Sequence, residues 1–400
     1  MKKILCIVLS MLVLSAIISY SISSIAKASE VDKSETSATS QQESDTAKKE
    51  TSQATEKATQ ESTSTTNNNS NNTNSTELQT TNKNVLRRVS TGVMNVPKAL
   101  RSIVNNDNIS QSTNESIQAT AITYDVGGNI VDWAVENDII YVITKWNNHL
   151  TVINSTSRTA LCYASLAAVP SEINITEDRI YVALPSLKRI DVFSKNDCQL
   201  ISSYSFEHEV SSFCVDGVYI YYADNEGWCH VYRKNLVTHK VIKITQNNSL
   251  FHEPKLLLNK EDGILYIGEA NYTGSVLYYY DAETLNFKSK FVKNNYGIYN
   301  KTREIFHVDD NVYWGSYCFS DTNAEEIKCE FGAPNTGSML YASQSAVFTE
   351  EGIFNANTYE YIVRYSEWNF DFKEIVISET GNIFVKRNTP DETIIINIKF

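Results

Sequence analysis

A short phrase recurs seven times in this 400-residue chain and leaves few architectures open. An acidic or turn residue is followed by any residue, then a β-branched residue, then usually an aromatic one. It reads Asp138-Ile-Ile-Tyr141, Asp178-Arg-Ile-Tyr181, Asp216-Gly-Val-Tyr219, Asp262-Gly-Ile-Leu265, Asp310-Asn-Val-Tyr313, Glu351-Gly-Ile-Phe354 and Gly381-Asn-Ile-Phe384, and its fourth position advances by 40, 38, 46, 48, 41 and 30 residues. Units of about 40 residues that cannot bury an apolar face alone must stack on one another. The spacing predicts an all-β fold, a seven-bladed β-propeller spanning 119–400, each blade a small four-stranded sheet.

The phrase has a physical sense as a tight turn followed by a strand. Asp, Asn and Gly tolerate left-handed backbone and cap the turn, and the β-branched and aromatic residues open a strand packed between neighbouring sheets. A second strand is expected shortly after each phrase, at Leu150–Ile153, Ile190–Phe193, His230–Tyr232, Val276–Tyr279, Ile327–Cys329, Tyr361–Val363 and Ile394–Ile396. Inner strands are expected ahead of the phrases, at Ser171–Ile175 and Lys255–Leu258, and outer strands at Ala160–Leu166, Leu200–Phe206 and Lys240–Ile244. The last unit ends at Phe400 without an outer strand, while Thr120–Val126 has strand character and no unit of its own. Pairing the two closes the ring and removes two exposed sheet edges.

Tyr141-Val-Ile-Thr144 followed by Leu150-Thr-Val-Ile-Asn154, and Tyr181-Val-Ala-Leu184 followed by Ile190-Asp-Val-Phe193, resemble the paired strand phrases of secreted YVTN-type propeller repeats. The resemblance implies a seven-bladed fold and a surface or periplasmic setting. It implies no particular activity, because these repeats are structural.

The chain before the ring reads differently. Lys2 and Lys3, an apolar run from Ile4 to Ile18 and Ala26-Lys27-Ala28 follow the order of a signal peptide over 1–28, with an uncleaved anchor as the alternative. Residues 29–84 are rich in Ser, Thr, Asn and Gln and nearly devoid of large apolar side chains, the composition of a disordered stalk. Residues 85–118 read as a basic linker with a candidate short helix, its period interrupted by Gly92 and Pro97. Lys and Arg number 35 against 47 Asp and Glu, a formal charge of −12 that falls almost wholly beyond residue 118. That balance argues against nucleic acid as a partner. No second apolar stretch is long enough to span a membrane. The expectation is a bacterial protein of Gram-positive-like export, secreted or held at the cell surface, and monomeric.

Two constellations could carry function on the loop face. Trp146, Trp228, Tyr272 and Trp368 are flat aromatics suited to stacking on a sugar ring or clamping a peptide. His208, His252 and His307, from adjacent blades and with Glu172, Glu209 and Glu253 near, are the alternative, a set that would hold a divalent cation. The preferred reading is a non-enzymatic module that binds an extracellular glycan or protein and needs no cofactor. The rival is a metal-assisted polysaccharide lyase, and a purely structural envelope protein is a third option. Six cysteines remain beyond the leader, and Cys318 and Cys329, flanking a turn in blade five, are the disulfide expected across a hairpin.

Overall fold

The computed structural model of the chain describes residues 86–105, 115–225, 227–246, 250–271, 274–294, 304–331, 339–365, 374–388 and 393–400. Among the described residues seven antiparallel blades follow one another around a ring, six of them four-stranded with their strands in chain order, and a two-stranded ribbon stands beside them. Blade one is Asn129–Glu136, Ile139–Lys145, His149–Asn154 and Thr159–Ser165. Blade two is Ile173–Ile175, Arg179–Leu184, Arg189–Ser194 and Leu200–Ser205. Blade three is Val210–Asp216, Tyr219–Asp224, Val231–Asn235 and Val241–Lys243, and blade four Lys255–Asn259, Ile264–Asn271, Gly274–Asp281 and Phe287–Asn294. Blade five is Phe306–Val308, Asn311–Trp314, Tyr317–Ser320 and Ile327–Glu330, and blade six Met339–Ala342, Ala346–Thr349, Gly352–Asn355 and Tyr361–Arg364. The chain is thus a seven-bladed β-propeller. Among the described residues no helix is long and apolar enough to cross a membrane.

Blade seven is built from both ends of the chain. Its first three strands are Glu374–Ile377, Ile383–Asn388 and Thr393–Lys399, and the fourth is Ser116–Asp125, in a register that sets Thr120 against Lys399 and Tyr124 against Ile395. The closure expected from Thr120–Val126 is therefore present. A second closure tie lies at the first repeat phrase. The carboxylate of Asp138 accepts hydrogen bonds from Ser378 Oγ at 2.7 Å, Thr380 Oγ1 at 2.5 Å and Asn382 Nδ2 at 2.9 Å, all from blade seven. Burial alone would raise the pKa of Asp138, but these three donors, helped by the charge of Lys399, outweigh it and hold the carboxyl below its ordinary value.

Within 85–118 the short helix expected is present, and the described residues ahead of it form a strand. Arg88–Pro97 pairs along its length with Ser116–Asp125 as a fifth strand, and Lys98–Val104 is a short helix. The interruptions that spoil a helical period do not spoil an edge strand: Gly92 sits in open space, and Pro97 closes the strand where the helix begins. Val96, Leu100 and Ile103 are buried against blades six and seven.

Blades five and six correct two strand assignments. In blade five the third strand is Tyr317–Ser320, and Ile327–Glu330 is the outer one. In blade six the phrase Glu351-Gly-Ile-Phe354 opens the third strand rather than the second, which is Ala346–Thr349. The reason is that second and third strands both follow tight turns and both lie between neighbouring blades. A turn residue followed by a β-branched and an aromatic residue suits either.

Burial is organised between blades. Seven apolar clusters each join two consecutive sheets, the last uniting Tyr124, Phe384 and Ile395 of blade seven with Trp133, Ile140 and Val142 of blade one. Successive side chains of one strand point to opposite neighbours. In Tyr219–Asp224, Ile220 and Tyr222 pack toward blade two while Tyr221 and Ala223 pack toward blade four. The second strands are buried on both faces, which is why they read as nearly unbroken apolar runs. Where the widest ring fits, its neighbour must shrink. A Cβ on Gly268 would lie 2.7 Å from the indole of the fully buried Trp314 in the next blade.

The cysteines pair differently from expectation. The disulfide joins Cys162 of blade one to Cys198 in the turn before the outer strand of blade two, with Cα atoms 5.7 Å apart. Cys318 and Cys329 do oppose one another in register, but as free thiols. Cys318 Sγ donates to Asn311 Oδ1 and Cys329 Sγ to the Glu330 carbonyl, and burial pushes the Cys318 thiol up to about 11, which disfavours the thiolate needed for disulfide chemistry. Proximity of residues 162 and 198 arises only when two blades stack.

Candidate functional site at the mouth of the ring

In an antiparallel blade the entry to the inner strand and the loop between the second and third strands lie at the same end. On blades two, three and four these segments enclose a cavity of about 260 Å³, lined by Ser171 and Pro185 of blade two, by Ser211, Asn225, Gly227 and Cys229 of blade three, and by Glu253, Pro254 and Lys255 of blade four. Its volume lies at the small end of ligand pockets and suits one sugar ring or one side chain.

The floor of the mouth is a ladder of polar residues at matching positions of successive inner strands. Asp132 of blade one accepts from the backbone N–H of Ile173 in blade two at 2.9 Å, and Glu172 of blade two accepts from the N–H of Phe213 in blade three at 3.4 Å. Ser212 Oγ of blade three donates to Glu172 at 3.3 Å and accepts from the N–H of Leu256 in blade four at 3.3 Å. The next rung is Lys255, whose ammonium lies 3.2 Å from Glu172 and 3.3 Å from Glu304, just ahead of the inner strand of blade five. Each rung thus ties its blade to the next, and three of the four rungs are charged.

That charge is poorly hydrated. Burial, reinforced by the nearby Asp132 and Glu304 and opposed by Lys255, pushes the Glu172 carboxyl up to about 7. Burial likewise pushes Asp132 up to about 6 against the pull of Lys255. Burial opposes the ammonium of Lys255, but Glu172, Glu304 and Asp132 together outweigh it and hold the group above the ordinary lysine range. The arrangement is a carboxylate cluster, buried at Glu172 and open to solvent at Glu304, with one cation at its centre.

Above the floor a two-residue ribbon fixes an aromatic at the rim. Trp228–Cys229 pairs with Phe251–His252, setting Trp228 opposite His252 and Cys229 opposite Phe251. The alternation of a strand sends Cys229 and Phe251 into the core between blades three and four and leaves Trp228 outside, 58% exposed. Buried Glu269 anchors the ribbon, accepting from the His252 backbone N–H at 3.0 Å and from Tyr278 Oη at 3.1 Å. Trp146 stands in the corresponding loop of blade one, 72% exposed and with φ of +78°. Glu253, beside the ribbon, has φ of +47°. Left-handed backbone at a tryptophan and a glutamate is costly, and such strain gathers where a protein holds side chains for use. Tyr272 and Trp368 lie outside the described residues.

The three histidines occupy three separate environments. His208 stacks on Tyr232 with centroids 5.9 Å apart, His252 meets Trp228 edge-on at 5.5 Å, and His307 Nε2 accepts from Asn259 Nδ2 at 3.2 Å. Among the described residues no group of three or more His, Cys, Asp or Glu is placed to hold a metal ion. The ladder Asp132, Glu172, Ser212, Lys255 went unread in the sequence, apart from Glu172. Its signal is a polar residue directly before an apolar one at spacings of 40, 40 and 43 residues.

No family model matches the chain, so the YVTN-type resemblance has no matching model behind it, and no curated protein matches either. Among solved structures it is similar to BamB from Moraxella catarrhalis, at 13% identity and a TM-score of 0.47 over 78% of this chain and 100% of that one. It is also similar to the computationally designed Ika8 protein, at 9% identity and a TM-score of 0.46 over 65% of this chain and 80% of that one. The seven-bladed assignment stands on the strand order of this chain itself.

Proposed function

We propose that this protein is an exported, cell-surface binding module that engages a glycan through the mouth of its ring. The observation that carries this reading is the juxtaposition of a ring-sized cavity of mixed polar and apolar lining with Trp228, held outward on a ribbon whose Cys229 and Phe251 are buried. An exposed aromatic on a rigid element beside hydrogen-bonding groups is what stacking and orienting a sugar require. The leader-like residues 1–28 and the stalk-like 29–84 support export and display away from the surface. A metal-assisted lyase finds no support in the placement of His208, His252 and His307.

A glycan array probed with the full chain tests this. Binding is expected, and Trp228→Ala should weaken it by about tenfold or more, the loss of one stacking platform. Binding unchanged by Trp228→Ala, or none to any glycan, removes the reading.

A further inference from the structure

The charge around the mouth decides which sugar it would take. Lys255 is already shared between Glu172 and Glu304, and Glu253 lines the same cavity. An anionic ligand would have to displace a carboxylate from Lys255 while facing Glu253. A positively charged group meets the opposite situation, because among the described residues at the cavity Lys255 faces three carboxylates, Glu172, Glu253 and Glu304. Burial above all, with neighbouring carboxylates adding to it, raises the pKa of Glu172 and of Asp132 in spite of Lys255.

The walls decide between two carriers of a positive group. Ser171, Ser211 and Asn225 present polar atoms, and the Ser171 hydroxyl is buried without a hydrogen-bond partner among the described residues. Such a group calls for a bound partner. A lysine side chain would bring an apolar stem, which favours apolar walls. A polyhydroxylated ring, apolar on its faces and polar at its edge, suits walls that mix Pro185 and Pro254 with Ser171, Ser211 and Asn225, offers Ser171 a partner that a lysine stem lacks, and can reach Trp228, between the lining residues Gly227 and Cys229. We propose that the mouth cavity binds an amino sugar whose amine is not acylated, its ring against Trp228 and its ammonium toward Glu253. This rests on the mouth being a glycan site.

Calorimetric titration of the full chain with three probes tests it: tetra-glucosamine, its fully N-acetylated counterpart and an Ala-Lys-Ala peptide. Tetra-glucosamine is expected to bind about tenfold or more tightly than the acetylated tetramer at low salt. Glu253→Gln, with its thermal melt checked against the parent, should bring the two sugars within about twofold of one another. Equal or tighter binding of the acetylated tetramer overturns the charge assignment and leaves the mouth a glycan site. Tighter binding of the peptide overturns the proposal in favour of a lysine. No binding of any probe also overturns it, and the array with Trp228→Ala then judges the glycan reading separately.

Discussion

The seams between blades and the mouth of the ring both use aromatic side chains, to opposite ends. In the seams the rings are buried, and four tyrosine hydroxyls reach backbone carbonyls of the next blade, while the buried Trp314 Nε1 has no hydrogen-bond partner among the described residues. Tyr221 Oη donates to the Ala282 carbonyl at 3.0 Å, Tyr266 Oη to Asp321 at 2.9 Å, Tyr279 Oη to Ser320 at 2.6 Å and Tyr341 Oη to Ile377 at 3.1 Å, each reaching from one blade to the next. At the mouth, Trp228 and Trp146 are exposed and sit on a two-residue ribbon and a left-handed loop. A tyrosine that fills a seam and pins its neighbour's backbone explains much of the count of 23 Tyr without any ligand. An aromatic is informative about binding only where the fold turns it outward.

The comparison can be broken at its strongest point first. Trp314→Ala should leave a cavity between blades four and five and cost about 3–5 kcal/mol, read by denaturant unfolding. A loss below about 1 kcal/mol would mean that the seam is loosely packed. Removing the interblade disulfide, with Cys162→Ala and Cys198→Ala together, should cost about 2–4 kcal/mol by the same measurement.

Smaller effects sharpen the picture. Glu172 and Asp132 have folded values above their ordinary ones. The stability they contribute is therefore fully present below the ordinary carboxylate range and is lost as pH rises through about 6 and about 7. Thermal melts between about pH 5 and 8 should show stability falling as pH rises, and Glu172→Gln should flatten the curve. A wild-type curve already flat there would show that the floor of the mouth is hydrated. Tyr221→Phe, which keeps the ring and deletes one interblade hydrogen bond, should cost about 1 kcal/mol. Trp228→Ala should change stability by no more than about 0.5 kcal/mol, since its ring is mostly exposed and meets His252 only edge-on. A loss comparable to that of Trp314→Ala would make Trp228 a seam residue and erase the contrast.

Much of the ring was legible because its cause is local and repeated. A turn residue followed by β-branched and aromatic residues, seven times over, requires seven stacked sheets. The missing last strand and the orphan Thr120–Val126 predict closure by edge satisfaction alone. The slips in blades five and six share one cause, that the same local chemistry serves both turns of a blade. Arg88–Pro97 was misread because its partner strand is the only thing that makes it a strand.

The site was legible in part. Trp146 and Trp228 could be named from the sequence as aromatics on loops, but a tryptophan does not announce whether it will be buried. Trp314 and Trp228 differ in nothing local that decides it, only in which way their strands face. The histidines were grouped by blade order, yet each points into a different environment. Lys255 among Glu172, Glu304 and Asp132 could not be assembled from spacings, because each residue comes from a different blade.

Sequence alone determined that the chain forms a repeated β architecture, how many units it has and how the ring closes, since period, turn chemistry and edge pairing are properties of short segments. Only the tertiary structure decided which cysteines meet, which aromatics face out and where charge collects. Those depend on the approach of segments 30 or more residues apart, and on the rotation that stacks one blade on the next.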